Sequence, residues 1–208
     1  MWFQGTFEAL KIYQRKERIC IEREQIVGEL LITMLYNTKH ITKKQFYQWI
    51  KSISIQLDAY HKVHQIAYQQ INPYTIILTN HNEIRLLDLN AQNNQEIILY
   101  LQQNNVHEIF NRTIGIRRIK PSTDFYSMGK TIQFIIAHCN LKKEFNFLET
   151  YCISSALDRS AVEIDIYQYK SMYELYKAII RTNIISEGYY KYCCKIGKTV
   201  LNFKNHKY

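Results

Sequence analysis

The sequence has little proline and little glycine, two and six among 208 residues. So few turn formers argue against an all-β fold with many tight turns, and against long disordered linkers. Cysteine is sparse too. Cys20, Cys139, Cys152, Cys193 and Cys194 include no pair at zinc-finger or CxxC redox spacing. Cys193 and Cys194 are adjacent, a spacing that bridges only with strain, so free thiols in a reducing cytoplasm are expected. No basic-then-apolar leader opens the sequence. The longest apolar run, Ile132 to Cys139, is interrupted by Gln133 and His138 and is too short to cross a bilayer. A soluble, cytoplasmic chain without a transmembrane segment is expected. Internal repeats and low-complexity segments are also missing.

What is present suits one domain with a real core: 47% of the residues are apolar. Seventeen tyrosines imply that several rings sit at the core edge with their hydroxyls near water. The formal charge is +9, spread along the chain with local concentrations at Lys11–Arg18, Arg117–Lys120 and Lys191–Lys207. A basic balance favours acidic partners in general, but no stretch alternates aromatic and basic residues as an RNA-binding motif would.

Phe7–Ile12 and Arg18–Glu22 are β-prone pieces around a charged turn, Gln14–Glu17. Glu24 to Leu31 reads as a connector entering a short helix. Thr42-Lys-Lys-Gln45 has the form of a capping box. Phe46, Trp49, Ile50, Ile53, Leu57 and Tyr60 follow at helical spacing, which predicts a helix to about His61. Thr75–Thr79 and Ile84–Leu89 flank Asn80–Glu83 as a second hairpin. Gln92–Gln103 fits helix or strand. Asp124–Cys139 reads as a buried helix and Leu141–Ala156 as an amphipathic one. Ser171-Met-Tyr-Glu174 opens a helix to about Arg181. The expected fold is mainly α with small β hairpins.

Several of these segments resemble the C-lobe of a protein kinase, in order and in spacing. Leu57 to His61 is similar to the end of the long helix before the catalytic loop. Tyr68-Gln-Gln-Ile-Asn-Pro-Tyr-Thr-Ile-Ile-Leu78 stands where an active kinase reads H-R-D-L-K-P-x-N-I-L-L. Ile84 to Asn90 resembles the strand that carries D-F-G. Asp124-Phe-Tyr-Ser-Met-Gly129 resembles the D-x-x-S-x-G that opens the buried kinase helix. Asp158-Arg159 and Tyr169 to Leu175 resemble the closing element of bacterial Ser/Thr kinases, and Glu24 to Leu31 the hinge. The likeness covers residues 17–181. It implies a C-lobe-like helical domain over 24–185, a vestigial N-lobe and hinge hairpin over 1–23, and a basic aromatic tail over 186–208.

Phosphoryl transfer needs positioned charge: a phosphate clamp, a base and metal-holding side chains. No G-x-G-x-x-G and no V-A-I-K strand occurs in the sequence. Gln70 stands at the base position, Asn72 at the lysine and Thr75 at the metal-binding asparagine. Asp88 alone keeps its identity, and one carboxylate makes a poor magnesium site. The retained residues are scaffold. The resemblance implies that Asp124 accepts backbone hydrogen bonds from the catalytic loop and that Arg159 pairs with a glutamate, for which Glu108 is the candidate. His61 reads as a packing histidine.

A pseudokinase-like binding or regulatory module follows as the leading expectation, with no catalytic, cofactor or metal residues and with a protein partner: an active kinase, a complex subunit or a second copy. An interface is expected along the N-terminal segment and the Gln70–Thr75 loop. Two alternatives stand beside it. One is an atypical phosphotransferase completed by a partner chain, using Asp88 with Glu83 or Asp124. The other is a binder of nucleic acid or anionic membrane through Lys191–Lys207, with Tyr189, Tyr190, Tyr192 and Phe203.

Overall fold

The computed structural model describes residues 4–38, 40–110, 120–162 and 168–181. The basic aromatic tail, with Cys193 and Cys194, lies outside the described residues. Two long antiparallel strands come first, β1 (Gln4–Arg15) and β2 (Arg18–Leu30), paired along their whole length. Lys16 takes a left-handed φ of 56° in the short turn between them. Helices α1 (Leu31–Thr38) and α2 (Lys43–His64) follow, then β3 (Ile76–Thr79) and β4 (Ile84–Leu86). The remainder is helical: α3 (Gln95–Gln103), α4 (Val106–Phe110), α5 (Thr123–His138), α6 (Phe147–Ser160) and α7 over 172–181.

The four strands form a single antiparallel sheet in the order β1-β2-β3-β4. This corrects the expectation of a mainly helical, C-lobe-only fold with two small hairpins and an absent or vestigial N-lobe. The Glu24–Leu31 stretch is strand as far as Leu30, and its end pairs with β3, Gly28 opposite Thr79 and Leu30 opposite Ile77. That pairing merges the two hairpins. It depends on Gly28, where a methyl group would collide with the Leu78 carbonyl oxygen. Strand β2 also runs across position 23/24, so the sheet and the helical part share one continuous strand.

The loose alternation of β1 has a packing cause. Successive side chains of a strand point to opposite faces. Phe7 and Ala9 join one apolar cluster, with Ile77, Leu87, Ile97, Leu101 and Phe110. Leu10 and Ile12 on the other face join the main core. Both faces of the strand are therefore covered, and the polar-out signal that marks a half-exposed strand is lost.

The helices arise for local reasons visible in their caps. The Thr42–Gln45 capping box forms, with each side chain meeting the other's backbone amide, and α2 ends at a left-handed Gln65, φ 59°. Its last turn carries His61, Lys62 and His64, where basic groups suit the helix dipole. The expected helix over Leu141–Ala156 starts later. Asn146 and Glu149 form an unforeseen capping box, which sets the start of α6 at Phe147. Gln92–Gln103 resolves into a 3-10 turn, Gln92–Asn94, followed by α3. Helix α5 packs closely on α6 at Gly129, where a methyl group would meet the Ser160 hydroxyl. Among the described residues no helix is long and apolar enough to cross a membrane.

Candidate functional site

The loop between α2 and β3 holds Gln70, Asn72 and Thr75, three of the four positions that the kinase resemblance marks as chemical. Its anchor is Asp124, fully buried in the first turn of α5. The two carboxylate oxygens accept from the backbone amides of Tyr68 at 2.6 Å and Gln69 at 2.9 Å. The ring nitrogen Nε2 of His61 lies 2.7 Å from the same carboxylate. Gln69 adopts φ 71°, which turns two consecutive amides toward one carboxylate. Asp124 therefore binds the loop in the way the resemblance implied, and His61 is a partnered packing group.

Inside the loop the replacements bond to one another. The Asn72 side-chain amide donates to the Gln70 carbonyl oxygen at 3.2 Å, and the Thr75 hydroxyl meets the same oxygen. The Asn72 side-chain oxygen accepts from the Tyr74 amide at 2.9 Å. This is an Asx turn, which a lysine at that position would not make. Thr131 on α5 donates to the Ile71 carbonyl at 3.0 Å, and the Ile32 amide donates to that of Pro73 at 2.9 Å. Ile71, Asn72, Pro73 and Thr75 are all buried. Much of the loop is taken up by the protein's own packing, with Gln69, Gln70 and Tyr74 left half-buried. The Gln70 side-chain oxygen is buried with no partner, so it offers an acceptor and no proton-accepting base.

Asp88 follows β4. Its carboxylate lies 2.6 Å from Arg23 Nε on β2 and accepts from the Asn90 amide at 3.0 Å. Arg23 Nε is also 3.2 Å from Glu8 Oε2 on β1. The arginine's pKa is raised, first by its hydrogen bond to Asp88 and then by the charge of that carboxylate. The Asp88 amide donates to the Glu8 carbonyl at 2.8 Å, and Ala9 forms a β-bridge with Leu87. Asn94 closes the corner, giving its side-chain amide to the Glu8 and Asp88 carbonyls at 2.7 and 2.8 Å. Asp88 is left 7% exposed. A guanidinium from β2 and the backbone of β1 lie against it. Glu83, an expected helper, points elsewhere and pairs with Arg85 at 2.8 Å. No group of three or more His, Cys, Asp or Glu that could hold a metal ion occurs among the described residues.

Two further residues complete the frame. Tyr68, at the position of the kinase histidine, is buried and donates its hydroxyl to the Leu87 carbonyl at 2.6 Å. It ties the loop to the strand that leads into Asp88. Burial, the largest cause, holds its phenol pKa well above 10. The sequence carried a signal for it, an aromatic donor replacing a ring donor at the same place, which motif matching overlooked. Arg159 lies 3.3 Å from Glu174 and over the Tyr169 ring. Glu108, the glutamate expected beside it, is exposed on α4. The thiols of Cys20, Cys139 and Cys152 are free, and burial pushes that of Cys139 up to about 11.

No family model matches the sequence, and no curated protein matches it. Among solved structures, the chain is similar to one described as "PpkA-294 apo form", a PpkA kinase domain, with a TM-score of 0.56. The fold is kinase-like. Sequence identity to that structure is 12%, and the match covers 82% of this chain and 66% of the other. At that identity the likeness is one of fold alone, and this chain spans about two-thirds of the PpkA domain's length.

Proposed function

We propose that this chain is a non-catalytic, kinase-like protein-binding module. The observation that carries the reading is the state of Asp88. Magnesium in phosphoryl transfer bridges a protein carboxylate to nucleotide phosphates. Here that carboxylate is joined to Arg23, and its backbone is bonded to β1. A guanidinium satisfies the charge that a metal would otherwise satisfy. The replacements at Gln70, Asn72 and Thr75 work in the same direction, since they stabilise the loop and supply neither base nor metal ligand. A scaffold of this kind acts by presenting a surface to another protein.

A radiolabelled phosphate-transfer assay with the purified chain and Mg·ATP tests the reading. The expected result is no transfer above that of an Asp88→Asn variant. Transfer that the substitution abolishes would refute it.

A further inference from the structure

A cavity of about 1070 Å³ lies away from Asp88, between the exposed face of α2, the 120–122 segment and the start of α7. Its rim carries Lys51, Lys62, Lys120 and Lys170, all exposed. The only carboxylate among its described lining residues is Asp58. That group is already engaged: it accepts from the Met172 amide at 2.6 Å and the Tyr173 amide at 2.9 Å, capping α7. Elsewhere some basic residues are held by carboxylates. Arg23, Lys43 and Arg85 each pair with carboxylates at 2.6 to 3.1 Å. Lys51, Lys62 and Lys170 have no carboxylate partner among the described residues. Between them the wall is apolar, with buried Phe125 and Tyr169 and with Ile55, which is 48% exposed.

Unpaired lysines gathered around an apolar wall make a positive potential that attracts acidic groups and a surface that binds carbon. We infer that this cavity docks an acidic peptide segment of a partner protein, its carboxylates or phosphates on the lysines and an apolar side chain against Phe125 and Tyr169. The lining comes from four separate segments, Ile19 on β2 included, and it sets lysines beside apolar wall, which suits a chain carrying both acidic and apolar side chains. The inference rests on the binding-module reading and gives that module a surface and a partner chemistry.

The test is fluorescence polarisation with a fluorescein-labelled peptide of alternating Glu and Leu, beside a Lys/Leu peptide of equal length. The cavity variant is Lys62→Glu with Lys170→Glu. The control variant is Lys16→Glu with Lys44→Glu, both exposed and outside the cavity. Melting curves of both variants establish that they fold, and a Lys62→Gln, Lys170→Gln pair serves if charge reversal does not. The expected result is saturable binding of the acidic peptide that weakens about tenfold or more in the cavity variant, holds in the control, and fades with salt. Equal weakening in both variants, or equal binding of the basic peptide, overturns the inference. So does sedimentation with phosphatidylserine vesicles that needs the same two lysines while the peptide fails to bind. Phosphate transfer together with peptide docking would remove the non-catalytic reading and leave the cavity standing. No transfer and no docking would do the reverse.

Discussion

Asp88 and Asp124 are two nearly buried aspartates at kinase-like positions, and the chain treats them differently. Asp124 is satisfied by backbone amides and a histidine. Asp88 is satisfied by an arginine from another strand. The first arrangement is what a scaffold needs whether or not it catalyses, because two amides of a sharp loop require an acceptor. The second joins a carboxylate to a guanidinium 65 positions away in the chain.

The largest expected effect is at the first aspartate. Asp124→Asn turns a buried acceptor into a group that presents N–H to N–H, and it should cost about 3 kcal/mol in chemical denaturation. A loss as small as that of an exposed substitution would break the contrast. Tyr68→Phe comes next. It leaves the buried Leu87 carbonyl short of its donor and should cost about 1.5 kcal/mol. Arg23→Met should be milder still, because the arginine side chain is 51% exposed and ion pairs near water contribute little. A double-mutant cycle of Arg23→Met with Asp88→Asn should show coupling between the two, and additivity would deny the pair.

The smallest effect is a pH dependence. Burial holds the Tyr68 phenol well above its ordinary 10 and pushes that of Tyr169 up to about 12. Above pH 10 the unfolded chain gives up phenol protons that the native state keeps. Unfolding then releases protons, so stability should begin to fall near pH 9, where the unfolded Cys139 thiol ionises, and fall more steeply beyond about pH 10. In Tyr68→Phe the alkaline slope should be shallower, by up to about 1.4 kcal/mol per pH unit. An unchanged slope would mean that Tyr68 does not hold its proton.

Much of the helical part was legible, since capping at Thr42 and apolar spacing through Tyr60 are local signals. The Asp124 contact was legible too, through a motif whose order matched. The sheet was not. Its two hairpins are marked by their turns, but their merger depends on Gly28 pairing with Thr79, far away in the chain, and β1 is covered on both faces, so alternation does not mark its full length. The Arg23–Asp88 pair escaped for the same reason: its partners are 65 positions apart. Motif reading tested whether Asp88 was present and had no means to see what held it.

The most direct test of the account is a thermal melt of the chain across rising Mg·ATP concentration. If Arg23 and β1 fill the place of metal and phosphate, the melting temperature should stay where it is without nucleotide. A saturable rise, lost in Asp88→Asn, would show that the site takes nucleotide and would contradict the central claim.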